Sequence, residues 1–123
     1  MFDLIIRNGS VLDGTGAEPF AADIAVENGR IAAVGKGLGK ARETIDAAGK
    51  TVTPGFIDIH RHADGAAFRP GYGRLELAQG LTTIVNGNCG LSAAPIDGPY
   101  RQAVLDYLAP ITGELGPEVP TSS

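Results

Sequence analysis

Two stretches of the chain hold residue types that do chemistry, His60-Arg61-His62 and Asn88-Cys89-Gly90. Residues 55–60 read as a strand. Side chains on a strand alternate faces, so Phe56, Asp58, His60 and His62 share one face while Ile57 and Ile59 take the other. Imidazoles at i and i+2 can converge on one metal ion, and Asp58 and Asp64 lie close enough in sequence to orient the rings. Cys89 follows a second apolar, β-branched run and sits in a tight turn. If the two runs are consecutive strands of a β/α barrel, the isoleucines pack outward on helices and the histidines point inward at the C-terminal strand end. Active sites of such barrels lie there, and Cys89 falls beside the histidines. A thiolate and two imidazoles around one pocket suit zinc, which takes mixed nitrogen and sulfur ligands. Each stretch alone also has a plainer reading, as two loop histidines and as a buried structural cysteine. Arg69 and Arg74 are candidates for a substrate carboxylate, and Asn86 and Asn88 for hydrogen bonds to substrate, although surface arginines and turn asparagines are common.

The elements that must position these groups change character at Pro54. Before it the pattern is of β hairpins. Residues 2–7 and 11–12 flank Asn8-Gly9, and residues 23–27 and 30–34 flank Asn28-Gly29. Asn-Gly between two apolar runs is a strong hairpin signal, because a type I′ turn needs φ > 0 at both central positions. A third pair, residues 43–46 and 50–53, flanks Ala47-Ala48-Gly49. The glycine-rich residues 35–40 do not fit a P-loop, which needs four residues between its glycines and Ser or Thr after the Lys. A dinucleotide fingerprint would need glycine where Lys40 stands, so this stretch reads as an exposed turn. After Pro54 follow the strand at 55–60, a short helix at 73–79 stopped by Gly80, and a second strand at 81–85. A helix at 99–108 comes next, with Tyr100, Ala103, Val104, Tyr107 and Leu108 at i, i+3, i+4, i+7 and i+8. Pro99 suits its first turn and Pro110 ends it. This order predicts βαβα with parallel strands. Residues 112–123, rich in Gly, Pro and Ser, show no further element.

The whole sequence bounds these readings. Its 123 residues are one domain or part of one, and 43% hydrophobic content argues for a folded chain. A net charge of −4 offers no electrostatic footprint for nucleic acid or an anionic membrane surface. The single cysteine cannot form an internal disulfide. No apolar run reaches the length of a spanning helix, and no signal peptide is visible, so a cytoplasmic location is expected. For the same reason Asn8-Gly9-Ser10, which matches a glycosylation sequon, reads as a turn. Glycine, 18 of 123 residues, implies many turns and short strands.

The motifs together resemble a known family. Asp3-Leu4-Ile5-Ile6-Arg7-Asn8-Gly9, residues 24–34, and Thr53-Pro54-Gly55-Phe56-Ile57-Asp58-x-His60-x-His62 look like the N-terminal part of the amidohydrolase superfamily. Gln79-Gly80-Leu81-Thr82-Thr83-Ile84-Val85 followed by Gly87-Asn88-Cys89-Gly90 resembles its N-acyl-D-amino-acid deacylase branch. The resemblance implies an α/β fold. Residues 1–52 would be part of a β-sandwich built from both chain ends, and residues 53–123 the first βα units of a (β/α)8 TIM-like metal-dependent hydrolase barrel. It implies His60 and His62 as the metal pair on the first barrel strand and Cys89 as a ligand after the second, with one or two divalent ions, zinc foremost. Asp64 matches an acidic residue often found after the second histidine; Asp58 and Asn88 stand beside the site. The implied chemistry is hydrolysis of a small-molecule amide by metal-activated water, with an aspartate late in the barrel shuttling the proton.

The sequence departs from that pattern in two ways. It holds only two histidines, and residues 53–123 give room for about two βα units where a barrel needs roughly 250 residues. The chain is therefore expected to be the N-terminal piece of such an enzyme, inactive alone and completed by the remainder of the barrel or a complementary chain. Arg61 replaces the small or polar residue common between the ligands in deacylases. The alternatives are a hydantoinase- or dihydroorotase-like hydrolase of cyclic amides, a non-catalytic scaffold of the same fold, and a structural zinc-binding module. A homo-oligomer is compatible with all of them.

Overall fold

Residues 2–11 form one ten-residue strand, β1 (Phe2–Val11), in the computed structural model, which describes residues 1–112 and 115. The hairpin expected at Asn8-Gly9 is a bulge instead. Asn8 takes φ 61°, but Gly9 does not follow it into the left-handed region, so no type I′ turn forms. The register with the next strand, β2 (Phe20–Glu27), shifts between Ile6 and Gly9 and leaves Arg7 and Asn8 opposite Asp23. Asp23 fills the bulge: Oδ1 accepts the Asn8 backbone N–H at 3.0 Å and Oδ2 the Arg7 guanidinium at 3.1 Å. Close approach dictates glycine at position 9, where a Cβ would stand 2.6 Å from Cγ2 of Val52.

β2 and β3 (Arg30–Gly35) form the expected hairpin, with Asn28 and Gly29 at φ 53° and 71°. The third expected hairpin is not one. β4 (Ala41–Asp46) and β5 (Thr51–Val52) both run parallel to β1, the first beside residues 2–7 and the second beside residues 10–11, like one interrupted strand. Asn8 Nδ2 donates to Asp46 Oδ1 at 2.9 Å, and this bond, helped by the Ala48 N–H, holds the exposed Asp46 carboxyl below the usual carboxylate range. The sheet order is β3-β2-β1-β4, with β5 also on β1. Ile5 and Ala25 pair and are fully buried, while Val11, Ala22 and Ile24 form a core with Ile6 and Val52. The glycine-rich turn is held by Arg7, whose Nη2 donates to the carbonyls of Leu38 and Gly39 at 3.2 and 2.8 Å. Carbonyls converge there, the reverse of the N–H cradle that a phosphate needs.

The described chain divides into two compact units at the Pro54–Gly55 bond. In the second, β6 (Phe56–Asp58) and β7 (Leu81–Ile84) pair in parallel. Their crossover holds a 3₁₀ turn (Ala66–Phe68) and α1 (Arg74–Ala78), and α2 (Arg101–Thr112) follows β7. This is the expected strand–helix–strand–helix order, so the chain is mixed α/β. Gly80 stops α1 as read, at φ 80° with its N–H on the Leu77 carbonyl at 3.0 Å.

Three expectations change here. α2 runs through Pro110 to Thr112. Proline removes one N–H and crowds the carbonyl four residues back, yet the helix closes two residues later, so the disruption is confined to its last turn. Its buried line is half-buried Val104 with Leu108 and Thr112, at i, i+4 and i+8; Tyr100, which precedes the helix, and Tyr107, off that line, are 78% and 69% exposed. Ile57 and Ile59 do not pack on helices: they are 61% and 72% exposed, and five-residue α1 has no buried residue. The reading of residues 112–123 lies, apart from Thr112 and Leu115, outside the described residues. Among the described residues no helix is long and apolar enough to cross a membrane.

Candidate metal centre

β6 and β7 deliver the two chemical stretches to the same place. Beyond the ladder the chains stay joined, with Val85 N–H on the Asp58 carbonyl at 2.8 Å and Arg61 N–H on the Val85 carbonyl at 3.1 Å. This pairing carries residues 59–63 alongside residues 85–89. His60 Nε2 lies 3.2 Å from Cys89 Sγ. The His60 and His62 rings meet edge-on, with centroids 5.5 Å apart and an interplanar angle of 77°. One donor atom from each of His60, His62 and Cys89 falls within 4.8 Å of the others. His60 and Cys89 are exposed and His62 is half-buried.

These residues fit a metal ion. Zinc holds nitrogen at about 2.0–2.1 Å and thiolate sulfur at about 2.3 Å, so an imidazole and a thiolate on one ion stand no more than about 4.4 Å apart. In tetrahedral coordination that span is about 3.6 Å; His60 and Cys89 stand at 3.2 Å already, and the widest pair of the cluster closes by up to about 1.5 Å on binding. Nδ1 of His62 is buried with no hydrogen-bond partner, which leaves a polar atom awaiting a ligand or a donor. Two imidazoles and one thiol form a borderline-soft donor set suited to zinc or copper more than to magnesium or calcium. Cys89 sits at φ 58°, a conformation uncommon for a side-chain-bearing residue, in the 3₁₀ turn Asn88–Gly90.

The neighbouring polar residues divide by what they touch. Asp58 does not reach either ring. The chain turns after β6, so strand alternation stops, and its Oδ1 accepts the His60 backbone N–H at 3.1 Å while Oδ2 faces Arg61 Nη1 at 3.4 Å. Arg61 is drawn away from the cluster by Glu76 of α1, at 2.7 Å. Asp64 Oδ1 accepts the Ala93 N–H at 3.4 Å; its Oδ2 is buried without a partner, and the residue lines a cavity of about 390 Å³ with Asn86, Gly87 and Ser92. Asn86 and Asn88 bond to backbone. Arg69 and Arg74 are exposed, and neither forms an ion pair among the described residues. Glu76 and the buried, unpartnered Tyr72 hydroxyl were not legible in sequence: the Arg61–Glu76 pair spans fifteen residues and depends on where α1 packs.

A parallel βαβ unit gathering this donor set at its strand ends agrees with the family resemblance of the motifs. Residues 43–106, just over half the chain, match the amidohydrolase family model, and the chain belongs to that family. It is similar to the D-aminoacylase of Alcaligenes xylosoxydans xylosoxydans, with 41% identity over 108 residues, 87% of this chain and 22% of that protein. Among solved structures it resembles N-acyl-D-glutamate deacylase from Bordetella bronchiseptica, which was complexed with zinc and a phosphonate mimic of the tetrahedral intermediate. That likeness has a TM-score of 0.74 and 48% identity over 80% of this chain and 21% of the other. A D-aminoacylase described by its binuclear metal centre matches with a TM-score of 0.76 and 43% identity, over 94% of this chain and 24% of the other. The chain thus spans between a fifth and a quarter of the length of these relatives.

Proposed function

We propose that this chain supplies the metal-binding N-terminal part of a hydrolase that cleaves the amide bond of an N-acyl-D-amino acid. The observation that carries the reading is the convergence of His60, His62 and Cys89 within 4.8 Å, in a chain whose relatives are deacylases. On this reading those three residues hold one or two divalent ions, zinc foremost. Residues 1–52 belong to a β-sandwich and residues 53 onward begin a (β/α)8 barrel. When bound, a divalent ion supplies a Lewis acid that polarises the substrate carbonyl and lowers the pKa of an attacking water.

The chain's own contribution is placement. The Asp58 carboxylate fixes the peptide at His60, and Arg61, held by Asp58 and Glu76, anchors the segment between the histidines to α1. Asp64, whose Oδ2 is unpartnered beside a cavity, is placed to accept from a polar group that enters it. Proton transfer to the leaving amine falls to an aspartate outside these 123 residues, so turnover needs the remainder of the barrel or a complementary chain.

Zinc analysis of the purified chain tests the centre, with retained zinc expected in the wild type and none in Cys89→Ala. Assay of N-acyl-D-amino acids tests the division of labour: no turnover by the chain alone, and turnover once the rest of the barrel is supplied. A wild-type chain that retains no zinc, or one that turns over unaided at the rate of the complete enzymes, overturns the proposal.

A further inference from the structure

We propose that Asn86 and Asn88 are positioning residues that set the distance between Cys89 and the two histidines, using opposite ends of their amides. The purpose of this clamp rests on the metal-centre reading above; its geometry does not. Asn86 Oδ1 accepts the N–H of Ala63 at 3.0 Å. Asn88 Nδ2 donates to the Val85 carbonyl at 2.8 Å and reaches the Arg61 carbonyl at 3.5 Å. Ala63 and Arg61 are the residues on either side of His62. The stretch that carries Cys89 is thus tied to the histidine stretch on both flanks of the half-buried His62, and Asp64 adds a longer tie to Ala93 at 3.4 Å. These bonds occupy the Asn86 oxygen and the Asn88 nitrogen in the scaffold.

The partners fix which amide atom matters at each position. A backbone N–H facing Asn86 demands an acceptor, and two carbonyls facing Asn88 demand a donor. Aspartate, almost isosteric with asparagine, supplies acceptors only. At position 86 it preserves the bond; at position 88 it sets a carboxylate against two carbonyl oxygens. The same substitution two residues apart therefore has opposite consequences, which general disturbance of a turn does not produce.

The test uses the 123-residue chain with Asn86→Asp, Asn86→Leu and Asn88→Asp. Two signals are read: cobalt(II) affinity from the thiolate-to-cobalt charge-transfer band, and, without metal, the nuclear Overhauser effect between the His60 ring and the Cys89 β-protons. Asn86→Asp is expected to keep both at wild-type strength. Asn86→Leu and Asn88→Asp are expected to weaken the Overhauser effect and to lower cobalt affinity by about 10–100-fold, the usual loss when an orienting partner is removed, with the far-ultraviolet circular dichroism unchanged. Should Asn88→Asp fail to fold, the Asp and Leu variants at position 86 decide the matter between them. Equal behaviour of the two position-86 variants, or of the two aspartate variants, overturns the clamp. A wild-type chain without the charge-transfer band overturns the metal reading instead, and the Overhauser pattern in the metal-free variants then decides the clamp alone.

Discussion

Cys89 occupies a backbone conformation, φ 58° and ψ 22°, that glycine would adopt without strain. An L side chain in the left-handed region costs about 1–2 kcal/mol, because Cβ is pressed toward the following carbonyl. Such strain concentrates at sites where a side chain is needed for what it does, and at Cys89 the evident use of the side chain is its thiol, 3.2 Å from His60 Nε2. Two substitutions separate strain from chemistry. Cys89→Ala and Cys89→Gly both remove the sulfur, so both are expected to lose metal binding, but only glycine relieves the backbone. In the metal-free chain Cys89→Gly should exceed Cys89→Ala in stability by about 1 kcal/mol, the strain partly offset by the entropy of glycine in the unfolded chain. Denaturant unfolding of the two variants measures the difference. Equal midpoints would show that the turn holds Cys89 without strain.

At the scale of the element, the same dipeptide does two different jobs. Asn28-Gly29 closes a hairpin with both residues at positive φ, whereas Asn8-Gly9 makes a bulge within β1 with only Asn8 there. The sequence around each reads alike, apolar before and after, so local chemistry predicts a hairpin at both. The difference is tertiary. β4 and β5 lie parallel to β1 on either side of the bulge, the first along residues 2–7 and the second along residues 10–11, while Asp23 satisfies the bulged backbone. A parallel partner forty residues away leaves no mark within a hairpin-sized window, which is why the β4–β5 arrangement was equally hidden. Gly9 is the point where this arrangement is most exposed to mutation. Gly9→Ala would place Cβ 2.6 Å from Val52 Cγ2 and should cost about 1–3 kcal/mol, the usual range for overpacking. In a Val52→Ala background the clash is gone, so the same change should cost much less. Thermal unfolding of the four chains in that cycle measures the coupling; additive losses would mean that Gly9 serves backbone freedom and not the approach of Val52.

For the molecule as a whole, the candidate site was more legible than the scaffold because each of its two parts closely follows a short apolar run that reads as a strand without reference to a partner. His60, His62 and Cys89 come together past the ends of β6 and β7, where backbone bonds from Val85 to Asp58 and Arg61 keep the two stretches side by side. The strand's period of two ends with β6 itself, at Asp58, whose carboxylate turns to Arg61, because the strand is only three residues long. The scaffold around the site is correspondingly slight. The first unit has a five-stranded sheet, whereas β6 and β7 form a two-stranded one with Ile57 and Ile59 largely exposed. A two-stranded sheet is marginal by itself, so amide hydrogen exchange at Ile57 and Thr83 should be faster than at Ile5, Ile6, Ile24 and Ala25. Metal binding supplies a way to reverse that order. An ion held by His60, His62 and Cys89 joins the ends of β6 and β7 and binds only while they are together, so it stabilises their closed state by RT ln(1 + [L]/Kd). Zinc at 100 times its Kd should slow exchange in this pair about a hundredfold. Exchange in β1 and β2 should not change if the two units open separately. Slowing in both units would show that they open as one, and slowing in neither would show that the cluster does not take the ion.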